Sequence, residues 1–171
     1  MNNSSSFIYP NVDDLLFLQE NANKLERFTL YGICTYGKII SVYDGDTFDM
    51  TFIIPSDVLE KEHAISKTKS GTCLLCCGPQ TQLIMRMKCR LNGIDARELK
   101  SEGGPKAKEI LEGFVLNKVL RCTFSHIDKY GRQLVHLYFT LNGIEYELNQ
   151  YLKNYQDYFV FYDGGTKTFS S

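Results

Sequence analysis

Residues 41–50, SVYDGDTFDM, place Asp44, Asp46 and Asp49 close together in a segment flanked on both sides by apolar, β-forming sequence. Read alone, the stretch is a hairpin. Asp44-Gly45 is a favoured two-residue turn because both positions tolerate positive φ, and GKIISVY before it and TFDMTFII after it read as strands. On that reading Asp44 belongs to the turn and Asp46 is a solvated strand residue. A chain whose formal net charge is only −1 nevertheless concentrates carboxylates here, so the rest of the sequence has to explain them.

With 171 residues, 43% of them hydrophobic, the chain is long enough for one substantial core and short for two domains. No apolar run approaches the length of a membrane span, and the opening MNNSSSFIYPNVDDLL lacks the basic start and apolar stretch of a signal peptide. No membrane association and an intracellular location are therefore expected. In a reducing compartment the six cysteines are expected as free thiols, with Cys89 and Cys122 as small core residues of strands. A pI near 6.3 gives no overall basic signal, but the charge is unevenly spread. Residues 85–132 carry eleven Lys/Arg against six Asp/Glu, while the segments on either side are net acidic.

Outward from the quoted turn, strand-like runs fall at 30–43, 47–54, 83–94, 119–125 and 134–141, followed by a second tight-turn signal at Asn142-Gly143. Between the third and fourth runs, EGGPKAKEILEGFVLNK spaces Ala107, Ile110, Leu111, Phe114 and Val115 as one helical face behind Pro105. A short helix is expected over 147–155, and another over 12–28, where Leu15, Leu18, Ala22 and Leu25 recur at helical spacing. The predicted fold is α+β: a five-stranded OB-type β-barrel with a helix after strand 3, a short helix after strand 5 and an N-terminal helix. The domain plan is an N-terminal extension (1–30), the barrel domain (31–165) and a C-terminal tail (166–171). Residues 55–82 read as an insertion between strands 2 and 3. That insertion holds His63, Cys73, Cys76 and Cys77, which read either as a zinc site or as a loop of free thiols. The N-terminal helix reads as a cover for the core or as a docking element, and it and the insertion are the candidate surfaces for a protein partner.

Three segments complete the constellation: CRLNGIDARELK (89–100), DKYGRQL (128–134) and DGDTF (44–48). Two carboxylates near strand ends suit a hard divalent cation, and two guanidiniums suit phosphate oxygens. These segments resemble the staphylococcal nuclease (thermonuclease, SNase-like) family over residues 37–162, apart from the insertion. The resemblance rests on the DGDT turn, an R-x4-D-x2-E spacing met by Arg90, Asp95 and Glu98, the KYGR turn at Lys129 to Arg132, and a late Leu148-Asn149 before a helix.

What the resemblance implies is an OB barrel with Ca²⁺ held by Asp46, Asp95 and the main-chain carbonyl of Ala96. It implies that Glu98 orients or deprotonates the attacking water and that Arg90 and Arg132 grip the scissile phosphate. Lys129, Tyr130 and Tyr162 would contact substrate, with Tyr158 as the other candidate for the late tyrosine. Arg97 stands where the family usually has proline, which implies a looser loop around Glu98. The expected activity is Ca²⁺-dependent hydrolysis of phosphodiester bonds in DNA or RNA, leaving 3′-phosphate ends. The rival is a non-catalytic OB-type module that binds single strands or a protein partner, a role that abundant tyrosine also suits. Compact intracellular members of the family occur in bacteria, phages and large DNA viruses, which leaves a viral source open.

Overall fold

The computed structural model describes residues 12–21, 29–54 and 83–162. The insertion with His63, Cys73, Cys76 and Cys77, and the tail, lie outside the described residues. Helix α1 (Val12–Asn21) exposes Val12, Leu15 and Leu16, and residues 22–28 of the predicted helix are not described.

Five strands form the barrel: β1 (Cys34–Val42), β2 (Thr47–Ile54), β3 (Leu83–Leu91), β5 (Val119–Ile127) and β6 (Gln133–Leu141). The meander β3-β2-β1-β5-β6 is antiparallel throughout, and a parallel pairing of β3 with β6 closes it. Alternation explains the inward set. Ile39, Met50, Phe52, Cys89, Leu91, Cys122, Phe124, Val135 and Leu137 are all buried, while their strand neighbours face outward or flank the site. Each such large side chain contributes about 1.5–3 kcal/mol by leaving water.

Helix α2 (Gly104–Val115) lays Ala107, Leu111 and Val115 on the core. After the Asn142-Gly143 turn, where both residues have positive φ as a type I′ hairpin requires, β7 (Ile144–Glu147) pairs with β6. A one-turn helix α3 (Leu148–Tyr151) and a 3₁₀ turn (Leu152–Asn154) then lead to β8 (Phe159–Phe161). Among the described residues no helix is long and apolar enough to cross a membrane.

One predicted element breaks in two. The run expected as a single strand over 83–94 ends at Leu91, turns at Asn92-Gly93 with Gly93 at φ 68°, and resumes as β4 (Ile94–Ala96). Strand β4 leaves the barrel sheet to pair with β8, Asp95 opposite Val160. Asn149 fixes this departure: its Nδ2 donates to the carbonyls of Asn92 and Val135, and its Oδ1 accepts from the amide of Leu137. The site depends on this break, because it lifts Asp95 off β3 and turns it toward Arg90.

Candidate active site

The loop between β1 and β2 does not form the two-residue turn expected from Asp-Gly. Neither Asp44 nor Gly45 has positive φ, and the loop closes instead through Tyr43 N–H to the Thr47 carbonyl at 2.8 Å. Asp44 Oδ1 accepts the amides of Asp46 (3.0 Å) and Thr47 (2.8 Å). Gly45 is required for space rather than for φ. A Cβ there would sit 2.4 Å from Ala96 Cβ and 2.9 Å from Ala107 Cβ, so only glycine lets the loop lie against β4 and α2. The loop is thereby pressed inward, and Asp46 is buried rather than solvated.

Asp46 meets Arg90 and β4 at one point. Its Oδ2 accepts from Arg90 Nη2 and from the Ala96 amide, each at 3.1 Å, and its Oδ1 accepts from Thr47 Oγ1 at 2.9 Å. The same Arg90 Nη2 donates to Asp95 Oδ1. The Arg90, Asp46 and Asp95 side chains are only 11%, 11% and 4% exposed, so one guanidinium bridges two carboxylates out of water. Burial pushes the Asp46 carboxyl upward; Arg90 opposes that rise and Asp44 adds to it.

Barrel closure brings in the second arginine. Arg90 pairs in register with Leu134, two residues beyond Arg132, so the β5–β6 loop lies over the same point. That loop is held by Asp128, which the sequence reading did not single out. Its Oδ1 accepts the amides of Tyr130 (2.8 Å) and Arg132 (2.9 Å), its Oδ2 accepts from Arg132 Nε (2.7 Å), and Gly131 turns the chain at φ 81°. Desolvation works against it, but the Arg132 amide and guanidinium and the Tyr130 amide hold the Asp128 carboxyl below the usual carboxylate range. Arg132 Nη1 donates to Thr47 Oγ1 at 3.2 Å, so Thr47 bridges the two halves of the site. The i,i+4 spacing of Asp128 and Arg132 around a glycine was the available signal. Tyr130 is 71% exposed, with Lys129 and Arg132 each near its ring face.

Glu98 lies exposed in the loop after β4. Its carbonyl accepts from the Ser101 amide (2.8 Å) and hydroxyl (2.7 Å). Arg97, expected to loosen this loop, ties it down: its amide donates to the Tyr158 carbonyl at 3.0 Å, a bond proline cannot make, and its Nε donates to the Asp157 carbonyl. Gly104 is the hidden constraint, because a Cβ there would stand 2.0 Å from the Glu98 carbonyl oxygen. Since the clash is with backbone, Gly104→Ala is expected to displace the Glu98 loop and destabilise the fold by about 1–3 kcal/mol. Thermal unfolding followed by circular dichroism checks this, and an unchanged Tm would show that the loop is not set by this contact.

All nine residues singled out in the sequence, Asp46, Arg90, Asp95, Ala96, Glu98, Lys129, Tyr130, Arg132 and Tyr162, line one cleft of about 730 Å³. Asp44, Asn92 and Asp128 also line it, and Tyr158 is not among its walls. Tyr158 instead packs against the core. Among the described residues no group of three or more His, Cys, Asp or Glu side chains is gathered for a metal ion. Asp46 and Asp95 supply carboxylate oxygens, the donor type a hard cation takes, and here both converge on one positive group, Arg90, with the Ala96 amide donating to Asp46. Comparison of the chain with protein-family models and with curated proteins finds no match.

Proposed function

We propose that this chain is a nuclease of staphylococcal nuclease type, built on an OB barrel, that hydrolyses phosphodiester bonds of DNA or RNA with Ca²⁺ as cofactor. The observation that carries the reading is the convergence of nine residues from distant motifs on one cleft. Composition alone does not demand that convergence.

Asp46, Asp95 and the carbonyl of Ala96 would hold the ion, which when bound supplies Lewis acidity at the phosphoryl oxygen. The protein's own groups do the rest. Arg132, aligned through Nε by Asp128 and through Nη1 by Thr47, presents its guanidinium to a phosphate without reorganising. Arg90 offers a second guanidinium from the cleft floor. Glu98, at the exposed rim, takes the proton of a water attacking in line, and departure of the 5′-oxygen leaves a 3′-phosphate. Lys129, Tyr130 and Tyr162 contact the strand on either side of the scissile bond.

One observation favours the second reading, a non-catalytic module that binds single strands: Arg90 is already committed to both carboxylates. The deciding experiment incubates end-labelled DNA and RNA oligonucleotides with the protein in Ca²⁺ and in EDTA and identifies the product ends. Ca²⁺-dependent turnover to 3′-phosphate ends supports the nuclease. Binding without turnover in any divalent cation sinks it and leaves the module.

A further inference from the structure

The outer face of β1, β2 and β3 runs away from the cleft, and its side chains form ordered rows. Thr47 pairs with Arg90 at the cleft edge, and Tyr43 hydrogen-bonds Thr47 there. One step out, Ser41, Asp49 and Lys88 stand in register, and a further step out stand Lys38, Thr51 and Arg86. A bulge at Ile40 lets Ser41 and Lys38, three residues apart, both face outward while Ile39 and Val42 stay buried. Beyond these rows the face becomes apolar, with Tyr36, Ile53 and Ile84 exposed.

Along β3, then, Arg86, Lys88 and Arg90 share one face at the two-residue repeat of a strand, about 6.6–6.8 Å per step. Lys38 adds a fourth cation in the same row as Arg86, two strands away across Thr51. Asp49 is the one acidic group in these rows; it pairs with Arg86 at 2.9 Å, but with Arg86 58% exposed that pair is weak and open to exchange. Tyr43 stands 64% exposed under the Lys88 ammonium, 5.0 Å from its ring centroid. Exposed cations set one strand step or one row apart (Lys38, Arg86 and Lys88), with an exposed ring beside them, are what a single strand needs: phosphates track the charge and unpaired bases stack on the ring. A duplex keeps its base faces covered and leaves the ring unused.

We propose that this face is an extended subsite for single-stranded nucleic acid, in which Lys38, Arg86 and Lys88 hold successive phosphates and Tyr43 stacks a base leaving the cleft. It deepens the nuclease reading by naming the substrate as a single strand longer than the cleft itself. It rests on that reading only for the role of the cleft, since binding along the face needs no chemistry.

The test uses the full chain in EDTA and fluorescence anisotropy with oligothymidylates: a dinucleotide, and a strand of about ten nucleotides, within the roughly 4–16 that such barrels cover. For the longer strand, the combined Lys38→Ala, Arg86→Ala and Lys88→Ala variant is expected to bind at least about tenfold more weakly. The slope of log K against log salt should flatten by roughly 2, at about 0.7 per lost phosphate contact. Dinucleotide affinity should stay within a factor of about two, because the cleft is untouched. Asp49→Asn should act oppositely and tighten the longer strand. Unchanged affinity of the folded triple variant overturns the proposal, and equal competition by a duplex of the same length overturns the single-strand assignment. The two readings fail separately. Tight, variant-sensitive binding without Ca²⁺-dependent turnover removes the nuclease and keeps this subsite; turnover with variant-insensitive binding does the reverse.

Discussion

Asp46→Asn and Asp95→Asn are each expected to abolish Ca²⁺-dependent cleavage while the barrel stays folded. Asparagine keeps the shape and one acceptor oxygen at each position but removes the negative charge that a hard divalent cation requires. Alanine is the wrong probe here. Both carboxylates bond the same buried guanidinium, and alanine removes the acceptor as well as the charge, a loss of up to about 3–5 kcal/mol, whereas asparagine keeps an acceptor oxygen toward Arg90. At this chain length Asp95→Ala should therefore lower Tm on the order of 10 °C. Asp46→Ala should cost somewhat less, since its side chain is the more exposed of the two. Loss of activity in an alanine variant would mix unfolding with lost chemistry, whereas the asparagine variants separate them. The measurement is cleavage rate across a Ca²⁺ titration, paired with a thermal melt of each variant. Wild-type cleavage by a folded Asp46→Asn or Asp95→Asn protein would remove that residue from the metal site.

The barrel was legible because its strands are long enough to show alternation. In TFDMTFII the inward Phe48, Met50, Phe52 and Ile54 recur every second residue, and the α2 face repeats over three turns. Strand β4 was not legible. Three residues, IDA, are all buried and carry no period, and their partner is β8, sixty-five positions away across Asp95 and Val160. Two glycines matter for contacts that no local pattern shows. Gly45 was read as a φ requirement and is a packing requirement, set by Ala96 and Ala107, which no local rule brings near it. Gly104 likewise meets Glu98 only once the chain has folded back on itself. Asp46 looked solvated for the same reason: its burial is made by Arg90 and Ala96, from elsewhere in the chain.

Arg132→Ala and Glu98→Gln are each expected to lower kcat by at least about 10²-fold with much smaller changes in oligonucleotide affinity. A contact made only as charge develops lowers the barrier without tightening the ground state. The geometry sharpens the prediction for Arg132. Asp128 holds Nε and Thr47 holds Nη1, so the guanidinium is oriented before substrate arrives, and Asp128→Asn should reproduce part of the Arg132→Ala loss without touching substrate itself. Asp128 also sets a direction in pH. Its carboxyl is held below the usual range in the fold, so its contribution to stability is fully present above the unfolded carboxylate value and is lost as pH falls through the depressed folded value. Acid, not alkali, should release Arg132, and Asp128→Asn should remove that acid sensitivity. Lys129→Ala should behave in the opposite sense to Arg132→Ala, weakening binding and flattening its salt dependence by about one counterion, because Lys129 lines the cleft beside Tyr130 and, among the described residues, has no anchoring carboxylate of the kind Arg132 has in Asp128. Single-turnover cleavage in Ca²⁺ with parallel binding titrations decides it. An Arg132→Ala protein that cleaves at the wild-type rate but binds poorly would make Arg132 a docking residue, and the Asp128 clamp would then serve affinity instead of the transition state.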